Sequence, residues 1–91
     1  MNSRKVQIVD VRDPKEFSAG SLLNARNVPL NDVAQRAADM PKDQPVIVVC
    51  QSGNRASLAA VKLRSAGISE VYILEGGVNA WRTAGLPLAK A

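Results

Sequence analysis

The stretch Val46-Ile47-Val48-Val49-Cys50-Gln51-Ser52-Gly53-Asn54-Arg55 decides the fold. Val46 to Cys50 runs without a polar interruption, which predicts a strand buried on both faces, as in a parallel sheet. Gln51 to Arg55 is polar and contains a glycine, so it reads as a tight loop, and a helical pattern opens at about Ala56. A strand, a tight loop and a helix N-terminus in succession favour a thiolate on Cys50. Backbone N–H groups of the turn and the positive end of the helix both attract negative charge, and Arg55 adds a full positive charge nearby. The same position also suits a small core hydrophobe ending a strand.

Outward from this stretch the chain alternates strands and helices. Lys5 to Val11, rich in β-branched residues, predicts a buried strand. Asp13-Pro14 with Glu16 predicts a helix start, with aspartate as N-cap and proline in the first turn. Ser18 to Ser21 ends that helix early. Ala25 to Val28 reads as a brief strand, and Asn31 as the cap of a helix from Asp32 to Met40 with an apolar stripe of Val33, Ala34, Ala37 and Ala38. Pro41 stops it. The helix from Ala56 to Ala66 carries Ala59, Ala60, Leu63 and Ala66 on one face, and Gly67 supplies its stop. Val71 to Leu74 predicts another short buried strand. A turn at Glu75-Gly76-Gly77 leads into a last helix, Val78 to Ala84, with Trp81 on it. The expected architecture is α/β, a small, mostly parallel central sheet flanked by helices on both faces. In such sheets ligands sit beyond the carboxyl ends of the strands, where Cys50, Gly76-Gly77 and the segment after Val11 all fall.

Ninety-one residues make a single domain, 1–91, with a core of Val, Ile, Leu and Ala, since Phe17, Tyr72 and Trp81 are the only aromatics. The chain has no histidine and one cysteine. These counts exclude a Cys-His or Ser-His pair, an imidazole metal ligand, an intrachain disulfide, a CxxC redox pair and a thiolate zinc cluster. Neither a metal nor a cofactor is expected, and any activation of Cys50 has to be electrostatic. The net charge of +4 comes from twelve scattered Lys and Arg residues with acids interleaved and a single adjacent pair, Arg4-Lys5. That pattern suits small anionic substrates or acidic partners rather than nucleic acid. No apolar run approaches the ~18 residues of a membrane span, and no secretory signal follows the basic start. A cytoplasmic location is the expectation.

Three motifs together resemble the rhodanese domain, the sulfurtransferase family, from Val9 to Leu88. Val9-Asp10-Val11-Arg12 with Glu16-Phe17 is similar to the family's opening motif. Cys50-Gln51-Ser52-Gly53-Asn54-Arg55-Ala56-Ser57 is similar to its active loop. Leu74-Glu75-Gly76-Gly77-Val78-Asn79-Ala80-Trp81, followed by Ala84-Gly85-Leu86-Pro87, is similar to its closing motif. The chain departs from the pattern after Gly20, where Ser21-Leu22 and Leu23-Asn24-Ala25 replace the usual His-Ile and Pro-Gly-Ala. Ala56 also stands between the loop arginine and Ser57, where the family commonly has a serine at once. The family's usual leading strand and helix are not seen before the first motif, as expected of a minimal version or of part of a larger protein.

The resemblance implies an enzyme, a thiosulfate or persulfide sulfurtransferase, with Cys50 catalytic. Gln51, Ser52, Gly53, Asn54 and Arg55 form the loop that binds substrate and persulfide, with Asp10 and Arg12 in support. Its partners are a small anionic sulfur donor and a thiol or cyanide acceptor, including a possible partner protein. Arg55 is expected either to orient an anionic donor or to fix the loop, Asp10 and Arg12 to pair and buttress it, and Gly53 to permit a positive φ. The same fold, in the resemblance, carries phosphatases whose loop has five residues between cysteine and arginine; here there are four. A shorter loop suits a terminal sulfur better than a tetrahedral phosphate, and phosphate chemistry also needs a leaving-group acid that the sequence does not identify. The alternative is a rhodanese-fold binding or persulfide-relay module for a partner protein, with phosphatase or arsenate reductase behind it.

Overall fold

The computed structural model describes residues 6–51, 54–86, 88 and 89. Strand β1 (Gln7–Asp10) leads to helix α1 (Pro14–Ala19), and β2 (Arg26–Asn27) to a 3-10 turn (Leu30–Asp32) that runs into α2 (Val33–Ala37). Strand β3 (Val46–Val49), helix α3 (Asn54–Ser65), strand β4 (Val71–Ile73) and helix α4 (Gly77–Thr83) complete the order. The four strands form one sheet in the order β2-β1-β3-β4, and every pairing is parallel.

The period-two alternation of β3 builds the two layers. Val46, Val48 and Cys50 face the larger core cluster, where Val33 and Ala37 of α2 meet Ala56, Ala59, Ala60 and Leu63 of α3. Val49 faces the second cluster with Leu22 and Val78, against which Ile47, Trp81 and Leu88 pack. Helices thus cover both faces, and β1 and β3 occupy the middle of the sheet. Ser21 and Ala89 pair across an isolated antiparallel bridge, exchanging both backbone hydrogen bonds at 2.9 and 2.8 Å.

Several elements are shorter or less buried than expected. β1 begins at Gln7, and Val6 is half exposed. The helix expected over Asp32 to Met40 is a 3-10 turn and five residues of α2. Only Val33 and Ala37, one turn apart, are buried; Ala34 and Ala38 lie a further 100° round and face solvent. The Lys42 ammonium explains the early end: it donates to the carbonyls of Ala37 (2.6 Å) and Met40 (3.1 Å), satisfying groups that a longer helix would have bonded internally. β4 is an edge strand, so only Val71 is buried while Tyr72 and Ile73 are exposed. α3 starts at Asn54, two residues before the expected Ala56.

Candidate functional site

Cys50 follows β3 at its carboxyl end, and α3 begins four residues later. Its side chain is 1% exposed and belongs to the larger core cluster. Of the two roles that its position suggested, burial in the cluster matches the core hydrophobe, and the nucleophile would have to act from the same buried sulfur.

The start of α4 holds the chain at Cys50 and just after it in place. The Val78 N–H donates to the Cys50 carbonyl at 2.8 Å, and the Asn79 N–H donates to the Gln51 carbonyl at 3.0 Å. Two of the N–H groups that a helix start leaves without internal partners are satisfied here. Gly77 sits at φ +59°, and a Cβ on it would collide with the Cys50 carbonyl oxygen and the Gln51 backbone. The second glycine of the closing motif thus leaves no room for a side chain between α4 and the backbone of Cys50 and Gln51.

Side chains continue the brace. The Gln51 amide donates to Asn79 Oδ1 at 2.6 Å, and Gln51 Oε1 accepts from Arg12 Nη1 at 3.2 Å. Arg12 is 2% exposed and pairs with the fully buried Asp10, with Nη2 to Oδ2 at 2.7 Å and Nε to Oδ1 at 3.0 Å. Arg12 Nη2 also donates to the Gly20 carbonyl at 2.6 Å, and the Ser21 hydroxyl to Asp10 Oδ2 at 2.6 Å. A buried ion pair is tolerable only when such further bonds offset its desolvation. Among the described residues no buried side-chain polar atom lacks a partner. Asp10 and Arg12 thus pair with each other and reach the loop through Gln51.

Arg55, in the first turn of α3, forms a two-pronged pair with Glu16 of α1, Nη1 to Oε1 at 2.8 Å and Nη2 to Oε2 at 3.1 Å. Glu16 Oε1 also accepts the Asp13 N–H at 3.1 Å, so the carboxylate closes the start of α1 as well. The hydrogen bond from Arg55 is the main reason the Glu16 pKa is lowered to about 2; burial opposes it and the Asp13 N–H assists. Arg55 is correspondingly held above its usual range, chiefly by the bond to Glu16, with a smaller contribution from the field of Cys50. No residue of α1 is buried, so this pair is a principal tie between α1 and the loop helix.

Glutamine at position 16 would remove the charge and keep the hydrogen-bonding shape. Both partners are about a third exposed, and solvent screening limits the pair to about 1 kcal/mol. The folded-state pKa of Glu16 lies below its usual 4.5, so the contribution is complete above that pH and is lost as pH falls toward 2. Urea unfolding of wild type and Glu16→Gln should differ by about 1 kcal/mol near neutrality and converge through that acid window.

The structure brings Cys50, Gln51, Arg55, Asp10 and Arg12 into one constellation. Asn54 opens α3, while Ser52 and Gly53, and with them the expected positive φ of Gly53, lie outside the described residues. Glu16, Ser21, Asn79 and the close approach of Gly77 were not read as parts of the site. Glu16 stands within the first motif and Gly77 and Asn79 within the third, which is the signal that could have found them; Ser21 gave none. A separate pocket of about 160 Å³ is lined by Val9, Arg26, Val28, Arg36, Asp39 and Met40. Cys50 does not line it. Among the described residues no cluster of cysteine and acidic side chains forms a metal site, and no helix is long and apolar enough to cross a membrane.

A cysteine at the carboxyl end of a central parallel strand, followed after four residues by a helix, is the arrangement that the resemblance implied. Residues 1–84 match the profile of the rhodanese-like domain, and the chain belongs to that family. It is 45% identical over 78 residues to YqhL of Bacillus subtilis, covering 86% of this chain and 62% of that protein. The chain thus spans less than two thirds of this relative's length. It is 39% identical over 77 residues to the thiosulfate sulfurtransferase GlpE of Pseudomonas aeruginosa, covering 85% of this chain and 70% of GlpE. Among solved structures, the rhodanese-related protein of Thermoplasma volcanium superposes with a TM-score of 0.87 at 29% identity, covering 94% of this chain and 85% of that one. A rhodanese-like domain from Anabaena gives 0.89 at 31% identity, covering 98% and 85%.

Proposed function

We propose that this chain is a sulfurtransferase that carries a sulfane sulfur as a persulfide on Cys50. The observation that carries the proposal is the placement of Cys50 at the end of β3, four residues before the start of α3, with α4 bonded to the carbonyls of Cys50 and Gln51. The reaction is a double displacement. The Cys50 thiolate attacks the sulfane sulfur of thiosulfate or of a low-molecular-weight persulfide. The donor's S–S bond breaks, sulfite or a thiolate leaves with the electron pair, and a Cys50 persulfide remains. An acceptor, cyanide or a cellular thiol, then takes the terminal sulfur and restores the thiolate. Atoms and electrons balance without an added oxidant or cofactor. The positive end of α3 and the loop N–H groups favour the anionic terminal sulfur.

Glu16 supports sulfur over phosphate. With its pKa lowered to about 2 it is an anion under ordinary conditions, so the carboxylate tied to the loop arginine is no leaving-group acid. A reducing compartment such as the cytoplasm suits a persulfide that thiols must discharge.

Intact-mass measurement after brief incubation with thiosulfate, and separately with the persulfide of 2-mercaptoethanol, tests the proposal. The expected result is a gain of one sulfur atom, reversed by a reductant and mapped by digestion to the peptide bearing Cys50. No gain from either donor would overturn the enzyme in favour of a binding module.

A further inference from the structure

Two guanidinium groups belong to the Cys50 constellation, and a counter-charge already occupies each. Arg12 is buried and spends Nε and Nη2 on Asp10 and Gly20 and Nη1 on Gln51. Arg55 is a third exposed, but both of its Nη groups point into the Glu16 carboxylate. The first pair sums to zero, and so does the second. Neither guanidinium is therefore an uncompensated cation for a donor.

Donor chemistry divides on this point. Thiosulfate is a compact dianion whose sulfonate stays charged while its sulfane sulfur approaches a thiolate. A full positive charge close by would strengthen its binding, and the Glu16 carboxylate bonded to Arg55 offsets the charge that this arginine would supply. A thiol persulfide carries at most one negative charge at its sulfane end, and its carbon-bound sulfur leaves as a thiolate. The repulsion is smaller and no second anionic group has to be matched.

We infer that Glu16 sets the donor selectivity of this site: by occupying Arg55 it disfavours dianionic thiosulfate and leaves Cys50 to persulfide donors. The inference rests on the sulfur-transfer function proposed above. Glu16 acts here through Arg55 and through its own charge. It is a specificity-determining residue and takes no part in the bond changes.

The test compares kcat and KM for thiosulfate and for the persulfide of 2-mercaptoethanol in wild type, Glu16→Gln and Glu16→Asp. Glutamine should raise the ratio of kcat/KM for thiosulfate to that for the persulfide about tenfold, a usual scale for one neighbouring charge. The change should appear mainly as a lower thiosulfate KM and should shrink with added salt. Aspartate keeps the charge and should keep the ratio within about threefold of wild type, well inside that one-charge effect. An unchanged or lower ratio in Glu16→Gln would sink the inference. So would an equal shift in Glu16→Asp, which would make the effect one of geometry rather than charge. Failure of the wild type to load sulfur from either donor would instead remove the sulfur-transfer function itself, so the two failures are distinguishable.

Discussion

Cys50→Ser is expected to leave a folded domain that takes up no sulfur from any donor. The side chain is 1% exposed, packed in one cluster with Val11, Val48 and Ala56. Serine is close in shape, and the main cost is desolvation of its hydroxyl, about 1–2 kcal/mol. The domain should still unfold cooperatively, with a midpoint lowered by roughly 5–10 °C. Activity is another matter. A hydroxyl is a poor nucleophile unless a base takes its proton, and the chain contains no histidine. The acids bonded to the site, Asp10 and Glu16, are both tied to arginines. Sulfur loading followed by intact mass should fall at least about a thousandfold, the scale on which removal of a nucleophile is felt. Cys50→Ala, which keeps the apolar packing, should behave alike. Loading that persisted in either variant would show that Cys50 is not the carrier.

The sequence carried the strand-loop-helix unit around Cys50 because its signal is local: an apolar run, a polar glycine-bearing break and a helical pattern follow one another within about twenty residues. The failures were of two physical kinds. Burial of β4 was overestimated because Val71-Tyr72-Ile73 looks alike at the edge and in the middle of a sheet; only strand order makes Tyr72 and Ile73 exposed. The length of α2 was overestimated because alanines at 34 and 38 fit a helix as well as a turn, while Lys42, beyond Pro41, reaches back to take the carbonyls. The site shows the same division. The place of Cys50 between β3 and α3 was legible from neighbours in sequence. The Glu16–Arg55 and Arg12–Gln51 contacts each join residues 39 positions apart, and Gln51 with Asn79 joins residues 28 apart. No periodicity encodes such pairs. They follow from parallel topology, which gathers the ends of β1 and β3 and the start of α4 on one edge of the sheet. Glu16 was read correctly as a first-turn helix residue, yet the carboxylate that closes α1 also occupies Arg55. One side chain serves both ends of the contact.

Gly77→Ala is expected to be the most damaging single-methyl change in the closing motif, and Gly85→Ala supplies its control. Both glycines have positive φ, +59° and +76°, a region that costs an L-residue about 1–2 kcal/mol. At Gly85 nothing lies within 4 Å of the added carbon, so the backbone cost is the whole effect. At Gly77 the same carbon would collide with the Cys50 carbonyl and the Gln51 backbone. Main-chain atoms on a central strand's end cannot swing aside as a flexible side chain does. The start of α4 would have to retreat, stretching the Val78 and Asn79 hydrogen bonds that hold the carbonyls of Cys50 and Gln51. Each such bond is worth about 1 kcal/mol net, and the backbone cost adds to them. The sum is about 3–4 kcal/mol, a large part of the 5–10 kcal/mol expected for a domain of this size. Urea titration should therefore place Gly85→Ala within about 1–2 kcal/mol of wild type and Gly77→Ala several kcal/mol below it. In whatever fraction of Gly77→Ala remains folded, sulfur loading of Cys50 should be slowed as well, because the retreat of α4 releases the peptide that carries the nucleophile. Equal destabilisation by the two substitutions would mean that left-handed backbone alone explains Gly77, and that its contact with Cys50 does not brace the loop.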